Sequence, residues 1–208
     1  MSANGVILIG GFCETIELCQ RCGLRLVGIV DANSQVAEDY AIPYLGTDEV
    51  FLAKREAYRG IPLVVVPDSP NVRRRIVERY RAEGFTFASV IAPDSDVSPS
   101  CGLGEGVVVH SHVVITAQAR IGAFVRVNLG AKIMHESVVE DFVTVAPNAT
   151  ILGRVRVGAL TYVGASSTTL PGCFLGTKAV VGAGAVVTRD VSDGAVVVGV
   201  PAKRMECV

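Results

Sequence analysis

The sequence predicts two units of different grammar: an α/β unit over residues 1–92 and an all-β solenoid over 93–208. Three observations carry that reading. Short apolar runs alternate with helical patterns in the first part. In the second, a large aliphatic residue returns at every sixth position, and a fixed internal period marks a solenoid. Composition agrees. Half of the 208 residues are hydrophobic but only 6% are aromatic, with no Trp and 22 Gly, which suits short aliphatic strands joined by tight turns.

In the first unit, residues 6–9 read as a buried strand ending at Gly10-Gly11, and a helix follows over 13–22. Residues 26–30 form a second strand that ends at Asp31. A helix is expected over 48–58, with Thr47 as its N-cap. A third strand spans 61–66. The helix over 70–83 starts with Ser69 as cap and Pro70 in its first turn, both favoured there. Residues 85–91 close the unit. Strands alternating with helices imply βαβ units and a parallel sheet, a small Rossmann-like domain.

Charge excludes some partners. Lys and Arg total 19, Asp and Glu 20, for a net charge of −1. Nucleic-acid and anionic-membrane binders carry a basic excess, so neither partner is expected. Mean hydropathy is +0.47, yet no stretch approaches the roughly 18 uninterrupted apolar residues of a spanning helix. The first residues show neither a basic n-region nor an apolar h-region, and the expected location is cytoplasmic. Cys19 and Cys22 form a CxxC within a helical pattern and have no second pair. They read as small apolar residues rather than a zinc or redox site, and no disulfide is expected.

From Val97 to Val187, every sixth residue is Val, Ile or Leu except Thr169. The fourth residue after each is usually small or β-branched, as at Ala119, Ala131, Ser137, Ala149, Ser167, Ala179 and Ala185. The pattern is similar to the hexapeptide repeats of left-handed parallel β-helices, in which three hexads make one triangular coil of about 18 residues. There the large residue points into a narrow prism and the small one fits near a corner. With the N-terminal unit and the closing Gly199-Val200-Pro201-Ala202-Lys203-Arg204, the whole chain resembles the sugar acyltransferases. That family includes N-acetyltransferases of nucleotide-linked amino sugars and sialic acid O-acetyltransferases.

The resemblance implies acetyl-CoA as co-substrate, no metal, a nucleotide-sugar acceptor and a homotrimer with sites shared between chains. It implies His135 as general base, since the family motif Asn-x(6)-His-Asp/Glu is matched by Asn128 and His135-Glu136. Imidazole suits that role because it titrates near neutrality, and Glu136 would orient it. Gly153, one coil on, stacks over His135, and its N–H would face the thioester carbonyl. The place nine residues after the base, often a His in the family, is Thr144 here. Ala165, Ser166, Gly182 and Ala183 would wall the CoA arm, with Pro201, Lys203 and Arg204 at its adenine and phosphate end. Gly10, Gly11, Asp31, Arg74 and Asn128 would bind the sugar nucleotide. The Gly-rich turn is shorter than the family's Gly-x-Gly-Gly-His-Gly, and Glu14 sits where a phosphate would approach a helix start.

The first reading is acetylation of a 4-amino group. The alternatives are O-acetylation of a sugar hydroxyl, as on sialic-acid-like acceptors, and a non-catalytic binding protein. A zinc centre built from His110, His112 and His135 is disfavoured, because the three fall in different columns of the coil.

Overall fold

The computed structural model describes residues 5–205. Four parallel strands form the N-terminal sheet: β1 (Gly5–Ile9), β2 (Arg25–Val30), β3 (Tyr44–Gly46) and β4 (Leu63–Val65), in the order β3-β2-β1-β4. β1 is buried along its whole length, as a continuous apolar run inside a parallel sheet should be. Helices cover both faces. α1 (Cys13–Arg21) and α2 (Gln35–Asp39) pack Ile16, Leu18, Cys19 and Ala37 against Val6, Leu8 and Ile29. On the other side, α3 (Asp48–Ala53) and α4 (Pro70–Ala82) bring Phe51 and Tyr80 onto Ile7, Ile9 and Leu63.

Several expectations shift. The helix expected over 48–58 breaks after Ala53, and Arg55–Tyr58 tighten into a 3₁₀ turn. That turn sets the Tyr58 ring on Phe51, with centroids 5.0 Å apart. Thr47 and Ser69 take N-cap positions, but neither side chain caps its helix; the Thr47 hydroxyl donates to Glu49 instead, at 3.0 Å. The sequence reading missed α2 and β3, which are too short to display a period. Residues 85–91 do not close the sheet as one strand. Phe87 makes a single bridge to Leu63, and then β5 (Val90–Ile91) pairs with Val108–Val109 of the second unit.

The second unit is a three-sided parallel β-prism. Its first face runs through β5, Arg126–Val127, Thr144–Val145 and Tyr162–Val163; the second passes through Lys132–Ile133 and the third through Val138–Val139. Rungs recur every coil, so Arg126 lies beside Thr144, Lys132 beside Thr150 and Val138 beside Arg156. The inward aliphatics form one continuous core. Thr169 is equally buried, with a hydroxyl that finds no partner. Ala131, Ser137 and Ala149, the small residues of their hexads, are fully buried.

The residue before each small one turns the corner. φ is positive at every sixth position from Gly106 through Glu136 to Gly184. Most of these residues are not Gly, and each L-residue there costs roughly 1–2 kcal/mol. Corner hydrogen bonds offset that cost: the Glu136 N–H donates to the Ala117 carbonyl of the preceding coil at 3.0 Å. The final coil is shorter, with Val180 pairing to Val196.

Two buried arginines join the units. Arg73, on α4, is 2% exposed and donates almost entirely to carbonyls. Nε reaches Phe124 O at 2.8 Å, Nη1 reaches Pro67 O and Asp68 O at 2.9 Å each, and Nη2 reaches Phe142 O at 2.8 Å. Burial and the neighbouring Arg126 charge push its pKa down to about 9, so it stays protonated at neutral pH. Arg126, an outward residue of the first face and equally buried, donates through Nη1 to Val66 O and through Nη2 to Thr15 Oγ1 and His110 Nε2, all at 2.9 Å.

Arg73→Met should cost about 3–5 kcal/mol of unfolding free energy, because it leaves several buried carbonyls unpaired across the seam. The neighbouring Arg74→Ala should cost under about 1 kcal/mol. Urea denaturation of both variants checks this. His110 adds a pH dependence. Burial first, then the charges of Arg126 and Arg21, lower its pKa from 6.5 to about 3. Below pH 6.5 the unfolded chain therefore binds a proton that the folded chain refuses, and stability present at neutral pH drains away as pH falls toward 3. His110→Gln, which keeps an acceptor for Arg126, should lose less stability than wild type between pH 6.5 and 4, measured by the same denaturation at each pH.

Candidate active site

Two constellations occupy different corners of the prism. At the corner between the second and third faces, His135 Nδ1–H donates to Glu136 Oε2 at 3.1 Å, and both side chains are half exposed. With Nδ1 engaged as donor, Nε2 carries the lone pair and is the atom able to accept a proton. Gly153 follows one coil on. A Cβ there would stand 2.5 Å from Nε2 and 2.6 Å from Cε1 of His135, so only glycine leaves room for the ring. The arrangement offers a base, a carboxylate that orients it and a backbone stripped of side chain beside it. Arg154 Nη1 lies 3.8 Å from the same Glu136 oxygen.

The second constellation is a cleft of about 440 Å³ between the sheet and the corner joining the first and second faces. Gly10, Gly11, Asp31 and Asn128 line it, together with Asp68 and Arg126. It opens beyond the carboxyl ends of β1 and β4, where the strand order reverses, and open α/β sheets bind ligands at such points. Gly10 holds φ +99, a conformation glycine adopts without penalty. The Gly11 N–H donates to Asp31 Oδ2 at 2.6 Å and the Asn33 N–H to Oδ1 at 3.3 Å, which fixes the Asp31 carboxylate. Asn128 accepts from Arg126 Nε and donates to Asp68 Oδ1, each at 3.1 Å.

Two expected site residues are corrected. Thr144 is fully buried; its hydroxyl donates to Asp68 O at 2.6 Å and accepts from Arg73 Nη2 at 3.0 Å. Nine residues is half a coil, which carries Thr144 onto the first face and under the sheet unit, away from the His135 corner. Arg74 does not line the cleft. It lies 3.7 Å from Glu78 on its own helix, and the member of the basic run 73–75 drawn into the interior is Arg73.

Ala165, Ser166, Gly182 and Ala183 share the corner of Asn128 and Pro147 and run along the prism away from the cleft. Pro201, Lys203 and Arg204 are exposed at the far end, where Lys203–Arg204 pairs antiparallel with Val197–Val198. His112 is exposed, 3.7 Å from Asp94, and His110 is buried beneath Arg126. Among the described residues, no three His, Cys, Asp or Glu side chains gather as a metal site. Burial first pushes the Cys19 thiol up to about 12, and Cys22 donates to Ile91 O at 3.2 Å. The five described cysteines are free; Cys207 lies outside the described residues. No described helix is long and apolar enough to cross a membrane.

Sequence reasoning missed Asp68 and Arg126. Asp68 was within reach, since it follows a buried apolar strand as Asp31 does. Arg126 had no local signal: it is one outward hexad residue among many until the sheet unit covers it.

No family model matches the chain. A GDP-perosamine N-acetyltransferase from Escherichia coli O157:H7 is 30% identical over 97 residues, 47% of this chain and 44% of that protein. The match to such curated relatives spans only about half of their length. A variant of perosamine N-acetyltransferase from Caulobacter crescentus, solved with CoA and GDP-perosamine, superposes with a TM-score of 0.90 and is 32% identical, covering 98% of this chain and 97% of that one. The acetyltransferase domain of PglB from Neisseria gonorrhoeae, solved with acetyl-CoA, also gives a TM-score of 0.90 at 28% identity, covering 98% of this chain and all of that one. With its hexad prism, corner histidine and whole-chain likeness to these proteins, the chain belongs to the hexapeptide-repeat sugar acyltransferases.

Proposed function

We propose that this chain transfers an acetyl group from acetyl-CoA to an amino group, first the 4-amino group, of a nucleotide-activated sugar. The single observation that carries the reading is the His135 ring, oriented by Glu136 and seated over Gly153. The sugar nitrogen attacks the thioester carbonyl carbon, the C–S bond breaks and CoA leaves as its thiol. The nitrogen's proton passes to His135 Nε2, and the imidazolium, stabilised by Glu136, returns that proton to the departing sulfur. The Gly153 N–H is the donor for the developing oxyanion. The relatives bound to CoA and GDP-perosamine support the donor and the acceptor class.

The sheet unit, taken as residues 1–92 although its last strand β5 is already a rung of the prism, is on this reading a Rossmann-like acceptor-binding domain, and 93–208 a left-handed β-helix that carries the chemistry. In one chain the acceptor cleft and His135 lie at different corners, separated by the second face. A complete site therefore takes one corner from each of two copies, and a homotrimer supplies three such sites. The cytoplasm, where acetyl-CoA and sugar nucleotides occur together, is the compartment this reading requires.

An acceptor screen with GDP-, UDP-, dTDP- and CMP-linked amino sugars and their hydroxy counterparts, monitored by release of free CoA thiol, tests the activity. Turnover confined to amino sugars is expected; turnover only of hydroxy sugars would replace N- by O-acetylation. His135→Ala should lower kcat with the accepted sugar by about 10²–10⁴-fold and leave CoA binding, measured by calorimetry, nearly unchanged. A variant that keeps most of its kcat would remove His135 from the mechanism. Light scattering should give three chains per particle, and a fully active monomer would end the shared-site reading.

A further inference from the structure

Asp68 is a cleft residue held by contacts from both units. Its backbone carbonyl accepts from Arg73 Nη1 at 2.9 Å and from the Thr144 hydroxyl at 2.6 Å. Its Oδ1 accepts from Asn128 Nδ2 at 3.1 Å and lies 3.5 Å from Arg126 Nε. Tyr162, one coil beyond Thr144, has its phenol pushed up by burial first and by the Asp68 charge second. Yet the Asp68 side chain remains 48% exposed and lines the cleft. Simple closure of the seam needs only the carbonyl, so the side-chain contacts serve something else. They hold a hydrogen-bond acceptor in one place at the cleft, the preorganisation a ligand-binding group needs.

Its position selects which part of a ligand it meets. Asp31 lies on the far side of Gly10-Gly11, beyond β2. Asp68 lies on the prism side with Asn128, and on the N-acetylation reading the sugar runs from the sheet unit toward the prism that carries the histidine. A carboxylate repels a diphosphate and accepts hydrogen bonds from hydroxyl or amino groups. Resting on the N-acetylation reading, we propose that Asp68 binds the sugar ring of the acceptor through its hydroxyl or amino donors, and that Arg126 and Asn128 act as positioning residues for that carboxylate.

Asp68→Asn tests this. The substitution keeps the side-chain size and the backbone carbonyl that Arg73 and Thr144 bind, while removing the charge and turning one acceptor oxygen into a donor amide. Calorimetry on the full chain compares two probes: the 4-amino sugar nucleotide that wild type acetylates in the panel above, and the bare nucleoside diphosphate without its sugar. The variant should bind the sugar nucleotide about tenfold to a hundredfold more weakly, as expected for loss of a charged hydrogen-bond acceptor. Its affinity for the bare nucleotide and for CoA should change less than about twofold. Equal weakening of both nucleotide probes would assign Asp68 to the nucleotide or to the fold, and no weakening would leave it without a ligand; either result overturns the proposal while N-acetylation stands. If wild type acetylates no amino-sugar nucleotide, the activity reading falls first and this proposal falls with it.

Discussion

The arrangement depends on a guanidinium with no carboxylate bonded to it. Arg73 lies between the sheet unit and the prism and satisfies carbonyls of both, from Pro67 and Asp68 on one side and Phe124 and Phe142 on the other. A planar fork with five fixed donors can do this where a Lys ammonium could not. Because Pro67 and Asp68 follow just after β4, the same bonds that close the seam fix the carboxyl edge of the sheet against the prism. Arg126 repeats the device one layer along, tying Val66 and Thr15 to the first face. The cleft exists where it does because these two side chains set the gap between sheet and prism.

The prism contributes a different constraint. Positive φ at every sixth residue turns the chain at each corner, so a residue's place in the coil decides its direction without reference to neighbours. His135 and Gly153 differ by one coil and therefore meet. His135 and Thr144 differ by half a coil and therefore cannot. Asn128 and His135 are close in sequence but occupy different corners, one on each side of the second face.

The seam also explains why buried polar residues collect on the first face. Thr144, Arg126 and His110 are nearly inaccessible, yet their hexad positions point out of the prism. They are buried by another unit rather than by the core. His110 serves Arg126 as a neutral acceptor, a role that requires burial and excludes it from proton transfer near neutrality. Two histidines of one chain thus separate into a structural acceptor and a half-exposed candidate base by environment alone.

The sequence by itself determined whatever repeats or is locally encoded. The period of six placed the inward aliphatics and the small corner residues, and its multiple of three set Gly153 over His135. Apolar runs located β1, β2 and β4 and marked Gly10, Gly11 and Asp31 at their ends. Tertiary structure decided the rest, because the partners are remote in the chain. Arg73 finds Phe142 across 69 residues and Arg126 finds Thr15 across 111, and no window of sequence displays such pairs. Read locally, 73–75 is a basic run in which Arg74 stands out no less than Arg73, and Thr144 is an outward hexad residue. Only the docking of sheet on prism takes Arg73 and Thr144 out of water, leaves Arg74 at the surface and brings Asp68 to the cleft.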